Sequence, residues 1–426
     1  MTKDEGRTTK DFAGPSSIVF HPSSGLFTLI MLPSDLKLTV KEYAVELGFD
    51  LVRVTSAEEF VQDRAVALER TRAGLMDGLP WYTEKRVYRG TRPQELLPGA
   101  RSIICLGLNY YQPESAADQA SQPMGKVARY AQGRDYHKVM KQRMRAYVEG
   151  LSRRIGAGIA ARWYVDDGPM LDRAAASRSG LGWFGKNTNI LTPSLGSWVF
   201  LGQVITDLEI EPDPPLQKTC GNCVQCIDAC PTGAIIAPYV IDNRRCISYL
   251  TIENRGPIPR ELRPQMLDWV FGCDICQEVC PVNRKATPTA ELDFQKKGLG
   301  LLDLIGLLGL SEEEFRQRFQ GTPIMRAKRA GLKRNACVAL GNLKDPSAVP
   351  ALCRALMEEE PLVRGHAAWA LGQIGGDQAC VALEQAAWQE QDPEARSEIA
   401  DALAELENVS SVGARHAVPL PRVVNR

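Results

Sequence analysis

Residues 220–231 read CGNCVQCIDACP and residues 273–281 read CDICQEVCP, and the spacing in these two stretches governs how the rest of the chain is read. The first is the C-x2-C-x2-C-x3-C-P run of bacterial ferredoxins, in which three closely spaced thiolates wrap one face of a 4Fe-4S cubane and the fourth leaves for a neighbouring cluster. The second run should open with a cysteine at position 270, but Val270 stands there. Cys246, the remaining cysteine between the runs, supplies the missing ligand. The expected metal ligands are therefore Cys220, Cys223, Cys226 and Cys280 for one cluster and Cys230, Cys246, Cys273 and Cys276 for the other. Structural zinc is the alternative, since it also takes four thiolates, but it has no need of the x3-C-P exchange. Two adjacent cubanes make an electron relay. Cys105, Cys337, Cys353 and Cys380 fall in a strand or in helices and read as packing residues.

A chain of 426 residues is long enough for two or three domains. Its 44% apolar and 24% charged residues exclude a disordered or membrane-embedded chain. Lys plus Arg and Asp plus Glu number 51 each, so a polyanionic partner must be held by a local patch rather than by net charge. The N-terminus carries Lys3, Asp4, Glu5, Arg7, Lys10 and Asp11 ahead of any apolar stretch, which argues against an export signal. The expected location is the cytoplasm, with no membrane association and with the thiols metal-bound or free.

The pattern implies an α+β multidomain protein. Residues 1–34 read as a loose extension. A mixed α/β domain covers 35–210, with helical spacing at 40–47, 135–155 and 171–179 and strand-like runs at 50–55, 102–111, 162–166 and 197–210. After the proline-rich linker 211–216, the ferredoxin-like double-cluster segment extends to 298. Residues 299–410 are Leu- and Ala-rich, and a shift of 31 residues lays NACVALGNL (335–343) over HAAWALGQI (366–374). Leu340 then falls on Leu371, Gly341 on Gly372 and Leu352 on Leu383, as in stacked helical repeats of the HEAT kind. Residues 397–406 keep Leu403 and Leu406 but lose the glycines, as a polar terminal cap should. Residues 411–426 form a tail.

Other motifs leave alternatives open. GLGWFG at 180–185 matches GxGxxG, but a helix precedes it and a strand follows, the reverse of a dinucleotide fingerprint; it reads as a tight loop lining a cofactor. Asp166 and Asp167 end a strand before Gly168-Pro169, as a solvated turn or as a catalytic carboxylate. Of four histidines, His137 sits among polar and aromatic residues, His366 faces either core or ligand, and His21 and His416 lie near the chain ends. Between Phe315 and Lys344 there are eight basic residues and no acid, and nine basic residues against two acids occur from Lys126 to Arg154. The first stretch suggests a phosphate-binding surface. A solvated charged face is the alternative.

The order RDYH (134–137), VDxGP (165–169), GLGWFGKN (180–187), the double cysteine run with CISYLT (246–251) between, and VRGHAAWALG (363–372) resembles the epoxyqueuosine reductase family over about residues 35–408. The resemblance implies that 35–210 binds cobalamin. It implies two 4Fe-4S clusters and an oxidoreductase that converts epoxyqueuosine to queuosine in the tRNA anticodon loop. No D-x-H-x-x-G stretch is present, so cobalamin is implied by the resemblance alone. It further implies Asp166 as the proton donor, Arg86 of EKRV as a corrinoid contact, and Ala128, Asp135, His137, Asp166, Ile190, Leu201, Ser248 and Asp274 around the cofactor. Expected RNA contacts are Arg326, Lys328, Arg329, Lys333, Arg334 and Arg364, with the modified base turned out of the loop. The expected partners are the anticodon stem-loop and an external donor such as a flavodoxin or ferredoxin system, the enzyme being a monomer. A corrinoid dehalogenase and a non-catalytic electron-transfer protein are the competing readings.

Overall fold

The computed structural model describes residues 17–19, 33–113, 122–295 and 298–415. His21, His416 and most of the expected extension and tail lie outside them. A five-stranded antiparallel sheet organises the first half, in the order Ser17–Val19, Ala160–Tyr164, Val199–Thr206, Ser102–Asn109, Leu51–Ser56. The three-residue edge strand falls within the stretch expected to lack structure; its register runs Ser17 to Arg162 and Val19 to Ala160. Every residue of Ser102–Asn109 is buried. Such a strand lacks the alternation of a half-exposed sheet because both faces are covered. On one face Ile104, Leu106 and Leu108 meet Val139, Met140 and Met144 of the helix Tyr136–Ile155; on the other Ile103 and Cys105 meet Ala174, Ala175 and Met170. Cys105 is a packing residue, its thiol pushed up to about 12 by burial.

A second, three-stranded sheet joins segments far apart in sequence. Met124–Val127 pairs parallel with Trp269–Phe271 and antiparallel with Leu301–Asp303, so each of the three expected domains contributes one strand. One hydrophobic core then runs from Val127 and Ile247 through Phe271 and Leu302 into the repeat helices. The cysteine segment is wedged between its neighbours. It does not hang on a linker.

The repeats are the helices Lys328–Leu343, Val349–Ala355, Pro361–Ile374, Asp377–Gln389 and Pro393–Arg415. The repeated glycine has a packing reason. A Cβ at Gly341 would press on Trp369 and Ala370 of the next repeat, and one at Gly372 on Ala402 of the last helix. Gly341 and Gly372 thus set the close approach of successive units.

His366 faces the core, with 2% of its surface exposed. Its Nε2 accepts from the Ile258 N–H at 3.1 Å, which leaves Nδ1 to donate to the Leu362 carbonyl at 2.8 Å. Burial, reinforced by Arg263 and Arg334, holds the imidazole well below its usual range. The folded ring therefore stays neutral where the unfolded one, with a pKa of about 6.5, takes up a proton. Stability is full above that pH and falls below it, by up to about 1.4 kcal/mol per pH unit. A guanidinium midpoint lower at pH 5.5 than at pH 7.5 in the native chain, with the drop reduced in His366→Gln, is the expected result.

Candidate functional site

The first cysteine run winds through a loop and the short helix Gln225–Asp228, with Gly221 at φ +53° turning the chain after Cys220. Cys220, Cys223, Cys226 and Cys280 line one cavity, walled opposite by Gly185, Lys186, Asn187 and Leu191. Burial pushes the Cys226 thiol up, and the Cys220, Cys280 and Cys223 sulfurs add to it. Cys230, Cys246, Cys273 and Cys276 form the second group: Cys276 is pushed up by burial and then by Cys246 and Cys230, and Cys273 by burial and then by Cys276 and Cys246. Cys226 also acts on Cys276, so the two groups adjoin. Among the described residues no three His, Cys, Asp or Glu side chains converge tightly enough to clasp a single metal ion. The first quartet surrounds a cavity instead.

The GLGWFGKN segment is a hairpin, Trp183–Phe184 pairing with Ile190–Leu191. Its turn braces both cysteine runs. Lys186 Nζ donates to the Gly221 carbonyl at 2.8 Å, and Asn187 Nδ2 to the Cys276 carbonyl at 3.1 Å. Spacing alone did not single out these two side chains as structural ties; buried polar residues in a glycine-rich turn were the available signal.

Asp166 lies just past the strand Ala160–Tyr164, at φ +54°. The left-handed region costs a non-glycine residue on the order of 1 kcal/mol or more and is met most often where function requires it. Gly168 of the same motif leaves no room for a Cβ, which would overlap the Tyr164 ring. The Tyr136 hydroxyl donates to Asp166 Oδ2 at 3.0 Å. Its ring stacks on Phe200 with centroids 4.2 Å apart and on His137 at 4.1 Å. Burial and the nearby Asp166 raise the Tyr136 phenol well above its ordinary range, so it remains a donor. Asp166 itself is exposed.

Arg86 lies in the first turn of the helix Glu84–Gly90, its N–H donating to the Thr83 cap, and its guanidinium donates to the Gly168 carbonyl, clamping the turn that carries Asp166. Its charge is opposed by burial and supported by Asp172 and Asp166. Asp135 caps the helix Tyr136–Ile155, and its Oδ1 lies 2.8 Å from His137 Nδ1. The Tyr130 ring lies against Tyr136, with centroids 6.2 Å apart, and against Phe271 at 6.1 Å, so aromatic contacts lead from Asp166 to the segment that carries Cys273. Asp274 is 1% exposed and accepts from the Arg129 N–H at 2.7 Å. Ser248 and Leu201 are half-buried, whereas Ile190 is in the core, so its main chain is what can meet a ligand. The Ala128 N–H already donates to Phe271 O and its carbonyl accepts from Ala131, which leaves one carbonyl lone pair.

Four expected RNA contacts are corrected by the fold. Arg334 is fully buried and donates to the carbonyls of Leu250, Asn254 and Gly256. Lys333 is 4% exposed and, with Arg329, pairs with Glu358. Arg364 is bound to the buried Glu390. The stretch lacks acids of its own because the acids and carbonyls that satisfy it come from other segments. Arg326 is exposed but tied to Glu253 and stacked over Trp81, and Lys328 is exposed with no ion-pair partner among the described residues.

The cofactors can be tested against these residues. Two thiol quartets form the donor set that paired cubanes require. Asp172 Oδ1, near Arg86, is buried and has no hydrogen-bond partner among the described residues, an unsatisfied polar atom of the kind that the amide-rich rim of a corrin can meet. The residues present fit both groups. They define an iron–sulfur oxidoreductase with an exposed carboxylate, Asp166, held by a tyrosine.

Comparison with known proteins agrees. Family profiles match at residues 91–167, described as epoxyqueuosine reductase QueG (DUF1730), at 219–283, a 4Fe-4S double cluster binding domain, and at 322–404, HEAT repeats. Epoxyqueuosine reductase from Shigella dysenteriae is 40% identical over 80% of this chain and 90% of its own length; that from Escherichia coli is 39% identical over 82% and 92%. A crystal structure of epoxyqueuosine reductase with an epoxyqueuosine-modified tRNA-Tyr stem loop matches with TM-score 0.84 and 33% identity, over 88% of this chain and all of that one. The Bacillus subtilis enzyme, captured with its catalytic loop swung out of the active site, matches with TM-score 0.82 and 32% identity over 88% of this chain and all of that one. The chain belongs to the epoxyqueuosine reductase family.

Proposed function

We propose that this chain reduces epoxyqueuosine to queuosine in the anticodon loop of tRNA, using cobalamin and two 4Fe-4S clusters. The observation that carries the reading is the pair of adjoining cysteine quartets, the inner of which follows Phe271 and is linked through Phe271, Tyr130 and Tyr136 to Asp166. Removing the epoxide oxygen as water takes two electrons and two protons. Bound cobalamin supplies the low-potential metal centre for the reduction, and the clusters deliver the electrons one at a time. Cys220, Cys223, Cys226 and Cys280 hold the outer cluster, and Cys230, Cys246, Cys273 and Cys276 the inner. Asp166 gives a proton to the departing oxygen. Tyr136 aims that carboxyl and stabilises it once it is charged. Arg86, Ala128, Asp135, His137, Ile190, Leu201, Ser248 and Asp274 surround the corrin, with Arg86 also fixing the Asp166 turn.

Of the six expected contacts, Lys328 is the one exposed without an ion-pair partner among the described residues, and Arg326 is exposed beside Glu253; these two are the ones placed to meet RNA phosphates. The salt slope of stem-loop binding in Lys328→Ala should be shallower than wild type by about 0.7–0.9, the share of one phosphate contact; an unchanged slope would move the RNA elsewhere. The enzyme works as a cytoplasmic monomer fed by a flavodoxin or ferredoxin system. Among the described residues no helix is long and apolar enough to cross a membrane. The test is anaerobic turnover of an epoxyqueuosine-containing stem-loop, with iron and cobalt measured in the same sample. Turnover without cobalt, or zinc in place of iron, would overturn the proposal.

A further inference from the structure

The surface over the first cysteine quartet differs in charge from most of the molecule. Gly221, Asn222, Val224, Gln225 and Pro281 are exposed around that cavity and all uncharged, with Val224 41% exposed. Lys218 stands two residues before Cys220, and Arg284 and Lys285 end the helical turn Pro281–Lys285 that follows Cys280. All three are exposed, and among the described residues none has an acidic partner. Lys218 lies over the Trp183 ring at 5.4 Å, on the hairpin that walls the cavity. Because Cys220 and Cys280 border the same cavity, these cations flank it from both runs. Asp228 is the one acid from Pro214 to Ile241, and none occurs from Val279 to Ala290. Elsewhere the surface cations of this neutral chain are commonly paired, as Arg72 is with Glu84, Arg101 with Glu209 and Arg154 with Glu46.

We propose that this neutral mouth with its rim of Lys218, Arg284 and Lys285 is the docking surface for an acidic one-electron carrier protein of the flavodoxin or ferredoxin kind. The proposal rests on the reading that Cys220, Cys223, Cys226 and Cys280 hold the outer cluster. Charge of opposite sign around the entry point steers the encounter, while the uncharged centre permits close approach without burying an unpaired ion. Each encounter moves one electron: the reduced carrier is oxidised, and the outer cluster passes from its oxidised to its one-electron-reduced state. The inner quartet follows Phe271, whose ring meets Tyr130 and through it Tyr136 and Asp166, which places entry and use of the electron at opposite ends of the relay.

The test mixes holoenzyme anaerobically with prereduced acidic flavodoxin and follows carrier oxidation by stopped flow. In Lys218→Glu/Arg284→Glu/Lys285→Glu the second-order rate constant at low salt should fall at least about 10-fold, and its decline with rising salt should flatten. Reduction by photoreduced deazariboflavin, a small neutral donor, should match wild type, as should iron and cobalt content and stem-loop affinity. Should the charge reversal disturb folding, the milder triple Gln variant gives the same comparison with a smaller fall. An unchanged rate and salt dependence with flavodoxin overturns the proposal, and so does a loss of stem-loop affinity at unaltered flavodoxin rate, which would make the patch an RNA surface. Wild-type protein carrying zinc at these cysteines would instead overturn the cluster reading beneath it.

Discussion

Asp166→Asn should retain its iron, its cobalt and its affinity for the stem-loop, and lose epoxide reduction by about 10²–10⁴-fold in kcat, the range that a positioned proton donor contributes. The substitution is close to isosteric. An amide oxygen still accepts from Tyr136, whose hydroxyl sits 3.0 Å from Asp166 Oδ2, so the turn and its left-handed residue keep their support. What disappears is the acidic proton. Asp167 provides the control, since its carboxylate pairs with Lys141 at the surface and Asp167→Asn removes a contact worth at most about 1 kcal/mol. Single-turnover kinetics under anaerobic conditions separate the two. Near-native activity in Asp166→Asn would remove the proton-donor role, and loss of cobalt with the activity would turn Asp166 into a binding residue.

The second large effect concerns a residue that looked like an RNA contact. Arg334→Ala should destabilise the fold by about 3–5 kcal/mol, as expected when a buried charged group that satisfies several partners is removed. The guanidinium joins the helix Lys328–Leu343 to the carbonyls of Leu250, Asn254 and Gly256, and a methyl group would leave all three without that donor. Burial, with Arg255 beside it, pushes Arg334 down to about 9, which still leaves it charged at neutral pH. Arg334→Lys should not restore stability, because one ammonium cannot reproduce a planar fork spanning three carbonyls. Guanidinium titration measures the loss. Native stability with a reduced salt slope for the stem-loop would return Arg334 to the RNA surface.

These residues show where sequence reading succeeds. The ligand pattern depends on local spacing, because neighbouring thiolates reach one cubane only at fixed intervals along the chain. The repeats were equally legible, since Gly341 and Gly372 recur at a position where a side chain would press on the next helix. The strand Ser102–Asn109 stood out as a continuous apolar run because both of its faces are covered. Tyr136, by contrast, lay within a quoted motif with no role assigned, and no periodicity distinguishes a phenol that stacks from one that aims a carboxylate.

What the amino-acid order determined by itself is everything governed by short range: two cysteine runs, the helical period, the recurring glycine and the turn that presents Asp166. Only the tertiary structure decided which cations are free, because Glu253, Glu358 and the carbonyls near residue 254 come from segments outside the basic stretch they neutralise, and Glu390 holds Arg364 from the next helix. It also decided that the three expected domains share a sheet and a core. Charge pairing and burial act through space, so a linear count of basic residues overstates the surface field wherever the fold supplies partners from elsewhere.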